Sequence, residues 1–153
     1  MYFLDGNRLY IKPDTAGGSF EGQLENCLVQ LKDINSAKKI FKLNFFVDTS
    51  SESRYSELVL HIKQKVATTF TEDIIQNFIA QPPLTCRIIV EAFYYDAEQW
   101  EGRYVTHEND SAMLFRKEKS EILIGNVQAN FNEGCRKNAE LVFANLSEIL
   151  RKV

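Results

Sequence analysis

Apolar residues recur at two different spacings along the chain, and the spacing separates predicted helices from predicted strands. In residues 20–34 the apolar positions are three and four residues apart, which is the repeat of one helical face. These positions are Leu24, Cys27, Leu28, Leu31 and Ile34. Residues 52–70 have the same spacing at Tyr55, Leu58, Val59, Ile62, Val66 and Phe70. The pattern predicts two long amphipathic helices, the first with Ser19 as its N-cap.

Segments rich in β-branched and aromatic residues surround these helices and predict strands. They are residues 8–12, 39–47, 73–80 and 85–95. Gly17 and Gly18 end the first segment, and Pro82 and Pro83 separate the last two, because proline cannot donate to a central strand ladder. The polar residues 96–120 predict a loop with marginal strands at 103–106 and 112–116. A strand at 121–129 and a helix at 135–150 follow.

The third predicted helix repeats the apolar spacing of the first. The corresponding positions are Ala139, Val142, Phe143, Leu146 and Ile149. Two interpretations stay open, since any two amphipathic helices can be aligned in this way. Either residues 1–111 form one module and residues 112–153 begin a second one, or residues 112–153 are a strand–helix tail of a single module.

Composition narrows the function classes. The chain has 153 residues and a net charge of −3, and its basic residues are scattered, so a nucleic-acid-binding surface is not expected. No apolar stretch approaches the ~20 residues of a membrane span. Cys27, Cys86 and Cys135 are odd in number and contain no CxxC pair, which favours a reducing compartment and predicts a cytoplasmic protein. His61 and His107 lack ligand spacing, so neither a metal nor a cofactor is expected.

Residues 8–95 resemble the YjgF/RidA family of imine deaminases. The resemblance lies in the order strand, helix, strand, helix, strand, strand and in three segments. The segments are LENCLVQLKDI, KIFKLNFFVD and the run from Asp73 to Tyr95. The last strand reads Ile88-Ile89-Val90-Glu91-Ala92, where the family has an I-E-I-E-A pattern. The resemblance implies a chorismate-mutase-like α+β fold, with a mixed β-sheet carrying two long helices on one face. The C-terminal strand and helix would be extra.

The chain departs from the family at the residues that the resemblance makes functional. Ile74 occupies the position of the family's carboxylate-binding arginine, and Ile89 occupies the position of the glutamate that orients the attacking water. Only the next acidic position is kept, as Glu91. Hydrolysis of an imino acid needs a cation for the substrate carboxylate and a polar group for water, and isoleucine supplies neither. The sequence therefore predicts no catalytic residues and a degenerate, non-catalytic module.

The phrase IAQPP before a strand ending in VEAFYY is similar to the chorismatase group, in which two YjgF-like modules are joined in tandem. This resemblance implies that the chain is the first half of such a protein. The alternative is a small-molecule-binding or hydrolytic enzyme, imine deaminase-like, with its site between subunits.

Strands such as KIFKLNFFV and RIIVEAFYY carry large apolar residues on both faces, so the sheet needs a second packing surface. The resemblance implies a trimer, and we expect a homotrimer or a pseudo-trimer with partner modules. A cleft between subunits could bind a small carboxylate ligand. The candidate residues for this cleft are Arg87, Glu91, Asn77 and Gln81. Strand alternation places Arg87 and Glu91 on one face, where structural polar contacts are the other interpretation.

Overall fold

The computed structural model describes residues 7–14, 18–48, 51–81, 83–108, 110–127 and 134–153. The chain divides into two compact units, residues 1–96 and residues 97–153. The predicted domain boundary between residues 111 and 112 falls inside a strand that spans Asp110–Lys117. Gly17, Pro82 and the end of the predicted strand 121–129 lie outside the described residues.

The N-terminal unit contains strands and helices in the order that the apolar spacing predicts. Its elements are β1 (Arg8–Ile11), α1 (Phe20–Ala37), β2 (Lys39–Val47), α2 (Glu52–Thr69), β3 (Ile75–Ile79) and β4 (Ile88–Tyr95). The chain is thus of the α+β class. The last strand is shorter than the predicted segment 85–95, because residues 84–87 form bends rather than extended backbone.

The four strands form one mixed sheet in the order β1-β4-β2-β3. β4 runs antiparallel to both of its neighbours, β1 and β2. β2 and β3 are parallel, and α2 connects them, since parallel neighbours need a crossover of this kind. β1 and β3 lie at the edges, so the last strand of the unit is an inner strand of its sheet.

α1 and α2 pack on one face of this sheet. The hydroxyl oxygens of Ser19 and Ser51 cap the two helices, accepting hydrogen bonds from the N–H groups of Gly22 at 3.1 Å and Arg54 at 3.2 Å. The predicted apolar stripes form the core together with alternate residues of β4. These core residues include Leu24, Cys27, Leu28, Leu31, Ile62, Val66, Ile88, Val90, Ala92 and Tyr94. The predicted inward faces of both helices and of β4 are confirmed.

The surface between the two helices carries an ionic cluster. The carboxylate of Glu21 accepts a bond from Lys65 Nζ at 2.7 Å and also contacts the ring of His61. The bond from Lys65, and then that from His61, holds the pKa of the Glu21 carboxyl below its usual value. All three side chains are substantially exposed, so this cluster adds little to stability at neutral pH.

The C-terminal unit is an antiparallel meander followed by a helix. Its elements are β5 (Glu101–His107), β6 (Asp110–Lys117), β7 (Ser120–Asn126) and α3 (Cys135–Arg151), with the strands in the order β5-β6-β7. The marginal strands predicted for this region are full strands. Glu108, which follows β5, and Glu118, which follows β6, adopt positive φ values of 52° and 50°.

The inward face of α3 differs from the predicted stripe. Ile149 is buried with Val105 and Ala112, but Phe143, a member of the stripe, is 68% exposed. A polar contact takes part in orienting the helix instead, since Asn145 Nδ2 donates to Oδ2 of the buried Asp110 at 2.6 Å. The apolar spacing alone could not reveal this contact, because it depends on an asparagine.

Candidate functional site

Side chains on the sheet face opposite the helices lie in rows that cross the strands. The strand registers place Tyr10 opposite Glu91, Glu91 opposite Asn44, and Asn44 opposite Asn77. These four residues, which we call the polar row, therefore come from β1, β4, β2 and β3. Every strand of the sheet contributes one member.

Hydrogen bonds connect the polar row from strand to strand. Asn44 Nδ2 donates to Glu91 Oε2 at 2.6 Å, and Asn77 Nδ2 donates to Asn44 Oδ1 at 2.9 Å. Glu91 is only 6% exposed, whereas Asn44 and Asn77 are half-buried. Buried carboxylates are costly unless they are hydrogen-bonded, so the bond from Asn44 offsets part of the cost of burying Glu91.

The β1 end of the polar row supplies two further partners to Glu91. Arg8 Nη1 lies 3.6 Å from Glu91 Oε1, and its guanidinium carbon lies 5.5 Å from the centre of the Tyr10 ring. The Tyr10 hydroxyl donates a hydrogen bond to Glu91, and this bond is the main reason that the pKa of Tyr10 is raised. The Glu91 carboxylate is therefore engaged by three side chains of its own chain.

The row on one side of the polar row is apolar, and the row on the other side mixes charged and apolar residues. One consists of Ile79, Phe46 and Ile89, which lie opposite one another and are all partly exposed. We call it the apolar row. The other contains Lys42 and Phe93, with the Lys42 amine 5.4 Å from the centre of the Phe93 ring. Burial lowers the pKa of Lys42.

Arg87 lies away from the polar row, because it precedes β4. It lines a cleft of about 220 Å³ together with Phe20, Asp48, Arg54 and Leu58. Two of these residues belong to α2 and one begins α1, so the cleft is on the helical side of the sheet. The backbone of Arg87 accepts a bond from the N–H of Asp48 at 3.0 Å.

The structure thus divides the four residues predicted for a ligand cleft. Glu91 and Asn77 share the polar row, but Arg87 lines a different cleft. Gln81 follows β3, where it is exposed and its backbone N–H donates to the carbonyl oxygen of Ile79 at 2.8 Å. Asn44 was not among the predicted residues, although an amide between the apolar residues of the segment KIFKLNFFV was an available signal.

The described residues offer few other chemical groups. Among them, no three His, Cys, Asp or Glu side chains are grouped so that they could hold a metal ion. Cys27 is fully buried, and this burial raises its pKa to about 12, so it is not a nucleophile in the folded chain. No helix in the described ranges combines the length and apolar character needed to cross a membrane.

Comparison with models of protein families, with curated proteins and with solved structures finds no match to this chain.

Proposed function

We propose that this chain is a degenerate YjgF/RidA-like module that serves in assembly rather than catalysis. It associates as a homotrimer, or as a pseudo-trimer with similar modules such as the second half of a tandem chorismatase-like protein. The contact surface is the sheet face that carries the polar row and the apolar row. The observation that supports this most strongly is that the apolar row stays partly exposed beside polar groups that are already paired.

The architecture of residues 1–96 agrees with the proposed family. The resemblance implies the order strand, helix, strand, helix, strand, strand, and these residues have that order. It also implies a mixed sheet with both long helices on one face. The core residues of α1, α2 and β4 form one cluster, which supports that arrangement.

The contacts of the polar row favour an interface. Covering a polar group is costly when the group loses its bonds to water without gaining others. Here Asn44 bonds both Glu91 and Asn77 within the same chain, so a partner could cover these groups without leaving them unsatisfied. Phe46, Ile79 and Ile89 would meanwhile lose exposed apolar surface, which drives association at about 25 cal/mol per Å².

The surroundings of three residues argue against catalysis by the family's chemistry. Ile74, at the position of the family's arginine, is 6% exposed, and Ile89 belongs to the apolar row. Glu91, the retained acid, is engaged by Asn44 and by two residues of β1. A carboxylate held in this way is poorly placed to accept a proton from a substrate water.

Sedimentation equilibrium of the wild-type chain tests the assembly proposal. We expect a trimer, and we expect Phe46→Glu and Ile79→Lys to give monomers because each places a charge in the proposed interface. Leu60→Glu is the matched control, since Leu60 is apolar and 59% exposed but lies on α2. Circular dichroism must show that each variant is folded. A wild-type monomer at every concentration, or an unchanged trimer with Phe46→Glu, would refute the proposal.

An ammonia-release assay tests the absence of catalysis. A 2-imino acid is generated in situ by an amino-acid oxidase, and its hydrolysis is followed with and without the chain. We expect no acceleration. Acceleration that disappears with Glu91→Ala or Arg87→Ala would establish the alternative function, an imine deaminase-like hydrolase.

A further inference from the structure

The cleft that contains Arg87 has a composition unlike the rest of the N-terminal unit. Two arginines, Arg54 and Arg87, line it together with the apolar residues Phe20 and Leu58. Asp48 is the one acidic residue among the described residues that line it. We infer that this cleft binds a small organic monoacid, with its carboxylate on the two arginines and its apolar part on Phe20 and Leu58.

Arg87 is the better available of the two cations. Its guanidinium group makes no ion pair with any described residue, so a ligand does not have to displace one of those carboxylates. Arg54 pairs with Glu57 at 3.1 Å, but both side chains are more than half exposed. Exposed pairs of this kind contribute little, so a ligand carboxylate can replace Glu57 at low cost. Guanidinium groups bind carboxylates through two parallel hydrogen bonds.

The backbone of Arg87 is fixed before any ligand arrives. Its N–H donates to Gln23 Oε1 at 2.7 Å, and its carbonyl oxygen accepts from the Asp48 N–H at 3.0 Å. Gln23 is 2% exposed, so this anchor is part of the packed interior of α1. An anchored backbone lowers the entropy that binding would otherwise cost.

The starts of α1 and α2 contribute charge but few hydrogen bonds. The caps Ser19 and Ser51 already bond N–H groups of the first turns. The partial positive charge of each helix start still favours an anion nearby. The direct hydrogen bonds to the ligand would therefore come from the arginine side chains, and substitution of those side chains is the decisive perturbation.

The surroundings of the cleft select one kind of anion. A neighbouring cleft shares Phe20, Arg54 and Leu58 but is also lined by Glu21 and Glu57. Carboxylates at that side repel a second negative group on the ligand. Phe20 and Leu58 give the cleft an apolar contact that a hydrocarbon chain can use and inorganic phosphate cannot, which favours an organic acid. One carboxylate with a short hydrocarbon chain fits both conditions.

Titration of the ¹⁵N-labelled chain with butanoate, phosphate and butanamide tests the inference. Butanoate should shift the amide signals of Phe20, Asp48 and Arg87, with an affinity of about 1–10 mM for a ligand of this size. Phosphate supplies charge without a hydrocarbon chain, and butanamide supplies the chain without charge. Both should bind at least about tenfold more weakly than butanoate.

Four variants give a pattern that a general effect on folding would not produce. Arg87→Ala and Arg54→Ala should weaken butanoate binding, by about tenfold for Arg87. Asp48→Asn should strengthen it severalfold, because it removes the competing carboxylate. Arg136→Ala, at an arginine whose side chain is 92% exposed on α3, is the control and should change nothing.

Equal binding of phosphate and butanoate, unchanged affinity in Arg87→Ala, or no saturable shift at all would overturn the inference. The result is independent of oligomeric state, since the cleft is on the helical side of the sheet and the proposed interface is on the other. A monomer that binds butanoate would refute the assembly proposal alone, and a trimer that does not bind it would refute only the inference.

Discussion

Replacing Asn44 with alanine would remove the residue that links the two halves of the polar row. Asn44 donates to the buried carboxylate of Glu91 and accepts from Asn77. A hydrogen bond to a charged group contributes about 1.5–3 kcal/mol, and one between neutral groups contributes about 1 kcal/mol. Asn44 is only half-buried, and Glu91 keeps its contacts with β1. We therefore expect Asn44→Ala to lower the free energy of unfolding by about 2–3 kcal/mol.

The measurement needs a probe inside the N-terminal unit. The single tryptophan, Trp100, lies in the other unit, so urea unfolding is best followed through the amide signals of Val90 and Ala92 on β4. The midpoint should fall while the dependence on urea concentration stays unchanged, which identifies a change in stability.

A double-mutant cycle provides the control for this prediction. Asn77→Ala alone should cost about 1 kcal/mol, because it removes only the neutral bond. The double variant should cost less than the sum of the single ones by about 1 kcal/mol, since the shared bond is lost only once. A loss below about 1 kcal/mol for Asn44→Ala, or strict additivity, would show that the polar row does not act as a connected network.

Three further predictions concern other parts of the chain. The pKa of Glu21 is lowered in the folded chain, so its contribution to stability is complete above the unfolded pKa near 4.5 and is lost as the pH falls through the lower folded pKa. Glu21→Gln should therefore flatten the dependence of the urea midpoint on pH in this acidic range. Iodoacetamide at pH 8 should alkylate the exposed Cys135 and leave the buried Cys27 unmodified until urea unfolds the chain, as peptide mass spectrometry would show; early modification of Cys27 would contradict its burial. Asn145→Ala removes a donor to the buried Asp110 and should lower the stability of the C-terminal unit by about 1–2 kcal/mol, measured by tryptophan fluorescence; no change would show that this bond is dispensable.

The local features of the N-terminal unit were predictable because each depends on neighbours in sequence. Apolar positions three and four apart gave the inward faces of α1 and α2, and alternation gave the buried side of β4. Ser19 was predicted as a cap and is one. These signals need no knowledge of how distant segments pair.

The polar row could not be predicted in the same way. Glu91 and Asn44 are 47 positions apart, and their contact depends on the register between β4 and β2. The predicted grouping of Arg87 with Glu91 assumed that extended backbone began at Thr85. It begins at Ile88, so alternation does not apply to Arg87.

The strands of the C-terminal unit were underestimated because a glutamate directly follows β5 and another occupies the first position after β6. Positive φ values in hairpin turns favour glycine and asparagine, yet Glu108 and Glu118 adopt them. The polar residues of this region, such as Glu101 and Arg103, therefore predicted only a loop with marginal strands at 103–106 and 112–116. The hairpin registers across β5, β6 and β7 show how cross-strand pairing outweighs local preference.

The inner position of β4 has a consequence for synthesis of the chain on the ribosome. β1 pairs with β4 alone among the described strands, so β1 has no neighbour while the nascent polypeptide stops short of residue 88. Until then β2 also exposes one unpaired edge, and unpaired edges invite association between chains. A truncated product ending near residue 84 should therefore aggregate or bind chaperones. Emergence of β4, which has eight residues, gives β1 its neighbour and covers the open edge of β2 in the same step.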